Sequence, residues 1–352
     1  MTRGRPSVSW RRATQSRLFF PLAILAVILL FDLVFDPAFF ELEVIDGHFY
    51  GSLVDIVRNG STVMLLAIGM TLVIATGGVD LSVGAVMAIS ASVAAILINP
   101  DFLEISRDAA YTFTPLPLVI ILALVVATIC GLWNGILVAY WNIQPMVATL
   151  ILMIAGRGIA QLLTSGTRIQ IFYEPYAWFG NGWIVVPVSL FIVAALYLGA
   201  WLATRRTALG MFIESVGINA RSSFYSGINE KRVKLVAYMF CGFCAGLAGI
   251  VASSNIRTSD ANNIGLNLEL DAILAVVIGG TAMGTGGRFS LLASVVGALV
   301  IQAITTSMYA VGVPANALLA IKGFVVVVVI LLLSAQFRDV VERLGTRKAK
   351  AA

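Results

Sequence analysis

The sequence predicts an all-α polytopic membrane protein of about ten transmembrane helices, some broken or re-entrant, with N- and C-termini in the cytoplasm. Three observations carry this: the composition, the recurrence of long apolar runs, and the placement of the basic residues. Of 352 residues, 59% are hydrophobic and 12% charged, with a mean hydropathy of +0.96. Soluble domains sit near roughly 45–50% and about 25%. So much apolar surface cannot be buried around one aqueous core, and lipid becomes the solvent.

A bilayer crossing takes roughly 20 mostly apolar residues. Runs of that kind occupy residues 18–35, 56–76, 81–99, 116–140, 144–164, 184–204, 233–254, 268–281, 289–310 and 315–335. The first follows Arg3, Arg5, Arg11, Arg12 and Arg17, as a signal peptide would. No small-residue cleavage site follows it, and Asp36, Glu41 and Glu43 come next, so it reads as a retained span. The eighth run is too short for a full crossing, which points to a broken or re-entrant segment.

Ten crossings that start inside put residues 1–17, 204–234 and 336–352 in the cytoplasm, with five, six and five of the 23 Lys and Arg residues respectively. Residues 36–55 carry five acids and no base and fall outside, as the positive-inside rule prefers. The net charge of +5 is thus an orientation signal and gives no reason to expect a nucleic-acid partner. The expected organisation is a basic tail at 1–17, a membrane domain at 18–335 with a cytoplasmic loop near 204–234, and a second basic tail at 336–352.

Cys241 and Cys244 form a C-x-x-C pattern inside an apolar helix that also holds Gly242, Gly246 and Gly249. No further Cys or His lies close enough to complete a metal site, so the small residues read as close helix contacts. No metal ligand and no catalytic residue is expected.

Thr76-Gly77-Gly78-Val79-Asp80-Leu81-Ser82-Val83-Gly84 lies between two apolar helices. Gly77 and Gly78 supply a hinge, because glycine accepts positive φ, and Asp80 and Ser82 are placed to cap the next helix. Val73–Ala88 and Val277–Ala293 echo each other weakly: a helix ending in Val-Ile, a Gly-rich break, then a helix of small residues. Duplicated breaks are a feature of transport pathways built from repeats, although Gly and Val are common in any membrane helix.

Polar groups inside the spans mark where a hydrophilic solute could pass. Asp80, Asn134, Gln144, Arg157 and Gln302 are the candidates for path or gate, each weighed against ordinary interhelical hydrogen bonding. The loop Arg205–Asn229 mixes charge with Met211, Phe212, Ile213, Phe224, Tyr225 and Ile228, more apolar surface than a solvated loop needs. Short amphipathic helices there suit docking into a partner's groove. No G-x-x-x-x-G-K-[ST] phosphate loop occurs in the sequence, so ATP, if it drives the protein, is handled by another subunit.

Four strings carry a family resemblance: LLAIGMTLVIATGGVDLSVGAVMAI (65–89), GLWNGILVAYWNIQPMVATLILMIAGRGIAQLL (131–163), RTALGMFIESVGINARSS (206–223) and LELDAILAVVIGGTAMGTGGRFSLLASVVGALVIQ (268–302). The chain resembles the permease subunits of bacterial ABC importers for monosaccharides, the ribose, xylose and galactofuranose group, from about residue 20 to 335.

That resemblance implies a permease translocating a monosaccharide across the inner membrane by alternating access. It implies a second permease subunit, identical or different, an ATPase subunit holding ATP and Mg, and a periplasmic sugar-binding protein, all set in membrane lipid. Members dock the ATPase through an E-A-A-x-x-x-G segment. Arg221-Ser222-Ser223-Phe224-Tyr225-Ser226-Gly227 keeps the spacing, with Arg in place of Glu and Ser in place of both Ala. Glu214, Gly217, Arg221 and Gly227 are the coupling residues this implies. The alternative is a self-sufficient secondary transporter or channel in which Asp80, Arg157 and Lys322 serve ion coupling.

Overall fold

The computed structural model describes residues 18–45, 48–99, 114–184, 186–283 and 286–333. Both expected basic tails fall outside this range. Each of the ten apolar runs coincides with a helix: α1 (Phe19–Phe35), α2 (Ser52–Ala75), α3 (Val83–Ile98), α4 (Leu116–Ala139), α5 (Pro145–Leu163), α7 (Val188–Arg206), α10 (Glu230–Ile256), α11 (Leu268–Ile278), α12 (Leu291–Ala310) and α13 (Ala315–Leu333). Among the described residues, six of these (α2, α4, α5, α7, α10 and α12) are long and apolar enough to cross a membrane.

Some elements had no signal in the apolar runs. A short helix, α6 (Glu174–Asn181), precedes α7, and α7 itself starts at Val188, four residues later than residue 184 suggests. Trp183 and Pro187 pair across that corner, and Pro187, lacking an N–H, suits a position just before a helix. Two small antiparallel ribbons form, β1 (Glu43–Ile45) with β2 (His48–Tyr50), and β3 (Ile169–Gln170) with β4 (Thr258–Ser259).

The connection between α7 and α10 is helical, as its apolar content predicts: α8 (Leu209–Ile218) and α9 (Ala220–Tyr225). Asparagine caps start α9 and α10. The Asn219 side chain accepts from the Ser222 N–H at 2.9 Å, and that of Asn229 from the Arg232 N–H at 3.1 Å, each satisfying one donor left orphaned by the helix start.

At the centre is α2, buried along nearly its whole length from Ser61 to Ala75. Helix α10 packs on α2, α3 and α4, and small residues set the spacing. A Cβ on Gly131 would lie 2.4 Å from the Tyr238 carbonyl oxygen, and one on Gly69 would lie 2.9 Å from the Cys244 Cβ. Cys241 and Cys244 are buried and unbridged at this contact, in the packing role their setting predicts. Helices α4, α5 and α7 instead expose many large apolar side chains, such as Ile121, Ile154 and Leu198, a surface suited to lipid or to another membrane chain.

The short eighth run is a half-helix. Residues 260–267 fold as turns, and Gly265 backs onto Gly84 at the start of α3 so closely that a Cβ on Gly84 would sit 2.2 Å from the Gly265 oxygen. Only then does α11 begin, with 11 residues.

A partly buried ion pair ties this half-helix to α13, with Lys322 Nζ 2.6 Å from Asp271 Oδ2. Removing one partner leaves a partly buried charge without its counter-ion, so Lys322→Met is expected to destabilise the fold by about 1–3 kcal/mol, whereas the double change Asp271→Leu/Lys322→Met recovers most of that. Thermal unfolding in detergent checks it.

Candidate functional site

The polar groups gather at three levels of the bundle. One end holds the β3–β4 ribbon and α6, and the other holds α8 and α9. These are termed the ribbon end and the basic end.

At the basic end of α2 the helix stops at Ala75 and the chain breaks before α3. Gly77 adopts φ of +83°, the left-handed conformation that favours glycine. Gly78 has no such φ; it is needed for space, since a Cβ there would lie 2.5 Å from the Tyr238 hydroxyl. The hinge therefore uses its two glycines for different reasons.

Asp80 is buried in this break and collects donors at one oxygen. The Ser82 N–H donates to Oδ1 at 2.9 Å, the Ser82 hydroxyl at 2.6 Å and the Asn134 amide at 3.3 Å. Asn134 Nδ2 also donates to Ser82 Oγ at 2.8 Å. The Tyr238 hydroxyl donates to the Val79 carbonyl at 3.2 Å.

Two of the sequence-predicted path residues, Asp80 and Asn134, are thus brought into one knot that joins the break to α4 and α10. Capping is divided differently from expectation. Asp80 serves the Ser82 N–H, while the Ser82 side chain, drawn to Asp80, makes no cap bond to α3.

The break after α11 meets the break after α2. The Gly287 N–H donates to the Ala75 carbonyl at 2.8 Å, so the two segments that echo each other in sequence are bonded in space. Gly217, in the last turn of α8, completes the joint. A Cβ on it would sit 1.9 Å from the Ala75 oxygen and 2.3 Å from the Gly287 nitrogen.

Three backbones therefore converge where a side chain on Gly217 has no room. Glu214 stands one turn earlier on α8, half-buried, with its carbonyl facing Gly287. Beyond the joint, α8 and α9 present Met211, Ile218, Phe224 and Tyr225, with Phe224 and Tyr225 65% and 76% exposed. Arg221 and Gly227 are exposed on the same segment, and Gly227 has φ of +83° with open space around it.

Towards the ribbon end, a cavity of about 300 Å³ lies between α2, α10, the 260–267 turns and α12. Its polar lining is Asn59, Thr62, Asn255, Asp260, Asn263 and Gln302. Gln302 alone of these was singled out by sequence. Asn59 and Thr62 stand three apart on α2, and the others come from segments roughly 200 residues away. The available signal was the run Ser259-Asp260-Ala261-Asn262-Asn263, too polar for a passive connection between two apolar helices.

Surrounding bonds fix this lining. Arg58 donates to the side-chain oxygens of Asn181 and Asn255, the latter at 2.7 Å. Asn263 donates to Asp260 Oδ2 at 2.7 Å, and the Asn262 N–H to Oδ1 at 3.0 Å. Arg168 Nε lies 2.7 Å from Asp260 Oδ2. Burial pushes the Asp260 carboxyl up, but the Asn263 and Asn262 donors and the Arg168 charge outweigh it and hold it below the usual carboxylate range.

Arg157 sits beneath this cavity wall and holds it. Its Nη1 donates to the carbonyls of Ala261 and Ile264 at 2.9 and 2.5 Å. Gln144 is not brought to the cavity or to the knot; it is exposed at the start of α5, because the α4–α5 turn places it at the basic end. Among the described residues no cluster of His, Cys, Asp and Glu could hold a metal ion.

Comparison with known proteins agrees with this architecture. The family model described as "Branched-chain amino acid transport system / permease component" matches residues 52–333. The chain is 46% identical to the galactofuranose transporter permease protein of Escherichia coli K12, over 93% of this chain and 92% of that protein. It is 36% identical to a fructose import permease protein of Bifidobacterium longum, over 87% and 84%. Identity to the ribose import permease protein of E. coli K12 is 30%, over 92% and 97%. No solved structure matches the chain significantly. With its apolar helices and a match over most of its length, the chain is a multi-pass inner-membrane protein and belongs to the branched-chain amino acid transport system / permease component family, the membrane subunits of ABC importers.

Proposed function

We propose that this chain is the permease subunit of an ATP-driven monosaccharide importer, with galactofuranose as the sugar, and that α8 and α9 receive the ATPase. The sugar assignment is supported by the 46% identity to the galactofuranose permease over 93% of the chain. The observation that carries the coupling is the joint at Gly217, where the docking loop touches the ends of both helix breaks.

In this reading the basic end is cytoplasmic, ten segments cross the membrane, the eighth as the 260–267 turns followed by the half-helix α11, and a second permease subunit and a periplasmic sugar-binding protein complete the assembly. ATP and Mg reside on the partner. ATP-driven closure of the ATPase moves α8. Because Gly217 abuts Ala75 and Gly287, that movement reaches the Asp80 break and the α11–α12 break together, so inward and outward openings alternate. Glu214, Gly217, Arg221 and Gly227 are the coupling residues, Asp80 and Asn134 hold the gate, and Gln302 lines the path. Arg157 is a positioning residue.

Ion coupling is less well supported, since Arg157 is engaged with backbone carbonyls and Lys322 with Asp271. The exposed aromatic pair supplies the test. Phe224→Ala/Tyr225→Ala is expected to abolish co-purification of the ATPase while the chain inserts in the membrane normally. Undiminished co-purification would refute docking by α9.

A further inference from the structure

We infer that the amide-lined cavity at the ribbon end is a transit site for one neutral monosaccharide within the permease itself, an inference that rests on the permease reading above. The chemistry of the lining carries it. Four primary amides, one hydroxyl and one carboxylate are set into a mostly apolar wall around about 300 Å³ of space, the small end of the range for ligand pockets. An amide offers two donors and two acceptor lone pairs, and here each is only partly used.

Asn255 is spoken for on its oxygen by Arg58 and reaches Asn59 at a long 3.4 Å. Asn263 gives one proton to Asp260, and Gln302 makes one long bond of 3.4 Å to Thr306. A polyol, which donates and accepts at each hydroxyl, matches such mixed capacity.

Charge excludes the solute that the family description carries. An amino acid zwitterion needs a cation for its carboxylate and an anion for its ammonium. Among the described residues the lining holds no cation, Arg58 behind it being engaged with Asn181 and Asn255, and its single anion, Asp260, is paired with Arg168. The apolar part of the wall, chiefly Val63, Ala252 and Leu268, contains no aromatic ring. Without an aromatic face to stack on, binding is weak, which suits a site that must release its solute with every cycle.

The half-helix links the site to the joint. Asp260 and Asn263 stand on the turns that precede α11, and the other end of α11 leads to the Gly287 joint. Motion of the docking loop therefore reaches one wall of the cavity.

Cysteine protection tests the site without requiring transport. In the full-length chain in detergent, Thr62→Cys is labelled with a methanethiosulfonate reagent, the parent chain serving as the blank for its native thiols. D-galactose is expected to slow labelling at least about fivefold and L-leucine to leave it unchanged. No protection by galactose, or equal protection by leucine, overturns the assignment.

The second measurement uses the complete transporter in proteoliposomes. Asn59→Ala/Gln302→Ala removes two partners and is expected to lower sugar uptake about 5- to 30-fold, with ATP hydrolysis kept. Wild-type uptake of sugar together with undiminished uptake by the double variant overturns the site and spares the permease reading. Absence of sugar uptake by the wild type defeats that reading, and galactose protection of Thr62→Cys would still stand.

Discussion

Gly217→Ala is expected to uncouple the transporter. The added methyl would lie 1.9 Å from the Ala75 oxygen and 2.3 Å from the Gly287 nitrogen. Both neighbours are backbone, so neither can yield by a rotamer change. Overpacking of this kind costs about 1–3 kcal/mol, and each 1.4 kcal/mol corresponds to about tenfold. The methyl forces α8 away from the two breaks and lengthens the Gly287–Ala75 hydrogen bond.

Sugar uptake should therefore fall roughly 5- to 100-fold while ATP hydrolysis by the assembled complex continues. Gly158→Ala, at a glycine with open space around it, is the control and should change neither. The comparison of uptake with hydrolysis in the same vesicles decides the matter. Parallel loss of both activities would mean that Gly217 supports assembly and does not transmit motion.

Asp80→Ala should produce the largest loss of stability. Its Oδ1 accepts from the Ser82 N–H, the Ser82 hydroxyl and Asn134, and Asp80, Ser82 and Asn134 are all buried. Each hydrogen bond lost costs about 0.5–1.5 kcal/mol, and each buried donor left unpaired adds about 1–3 kcal/mol of desolvation. A destabilisation of at least about 3 kcal/mol is expected, read as a lowered thermal midpoint in detergent. Asp80→Asn keeps an acceptor for the Ser82 N–H and should recover part of it. A midpoint unchanged in Asp80→Ala would show that the knot does not hold the break.

The fold was legible in the sequence to the extent that lipid simplifies the problem. A helix in hydrocarbon must satisfy all its backbone groups internally, so apolar run length translates directly into an element. The bounds of α1, α4 and α5 follow closely for that reason, and the shortness of the run at 268–281 announced the half-helix α11. Gly77 and the Gly-rich break after α11 were visible as interruptions. Helix α6 and the ribbons were not, because Glu174–Asn181 is too polar and too short to register as a span, and β3 pairs with a strand almost 90 residues away.

The site was legible only in part, for a related reason. A single polar residue in an apolar helix reads equally well as interhelical glue or as path lining, and neighbours in space decide between them. Asp80 and Asn134 share the knot. Arg157, an expensive charge, turns out to fasten the Ala261–Ile264 turn, and Gln144 is displaced to an exposed corner. Asn59, Asn255 and Asn263 gain meaning only when α2, α10 and the turns before α11 come together. The segment between α7 and α10 was the reverse case, since exposed Phe224 and Tyr225 are conspicuous in a polar loop without any knowledge of tertiary contacts.

Reconstitution tests the dependent-permease account most directly. Proteoliposomes are prepared with this chain alone, and in parallel with the second permease subunit, ATPase and binding protein proposed for it, and labelled galactose uptake is followed with ATP or with an imposed ion gradient. Uptake is expected only in the complete assembly supplied with hydrolysable ATP. Gradient-driven uptake by the chain alone would contradict it.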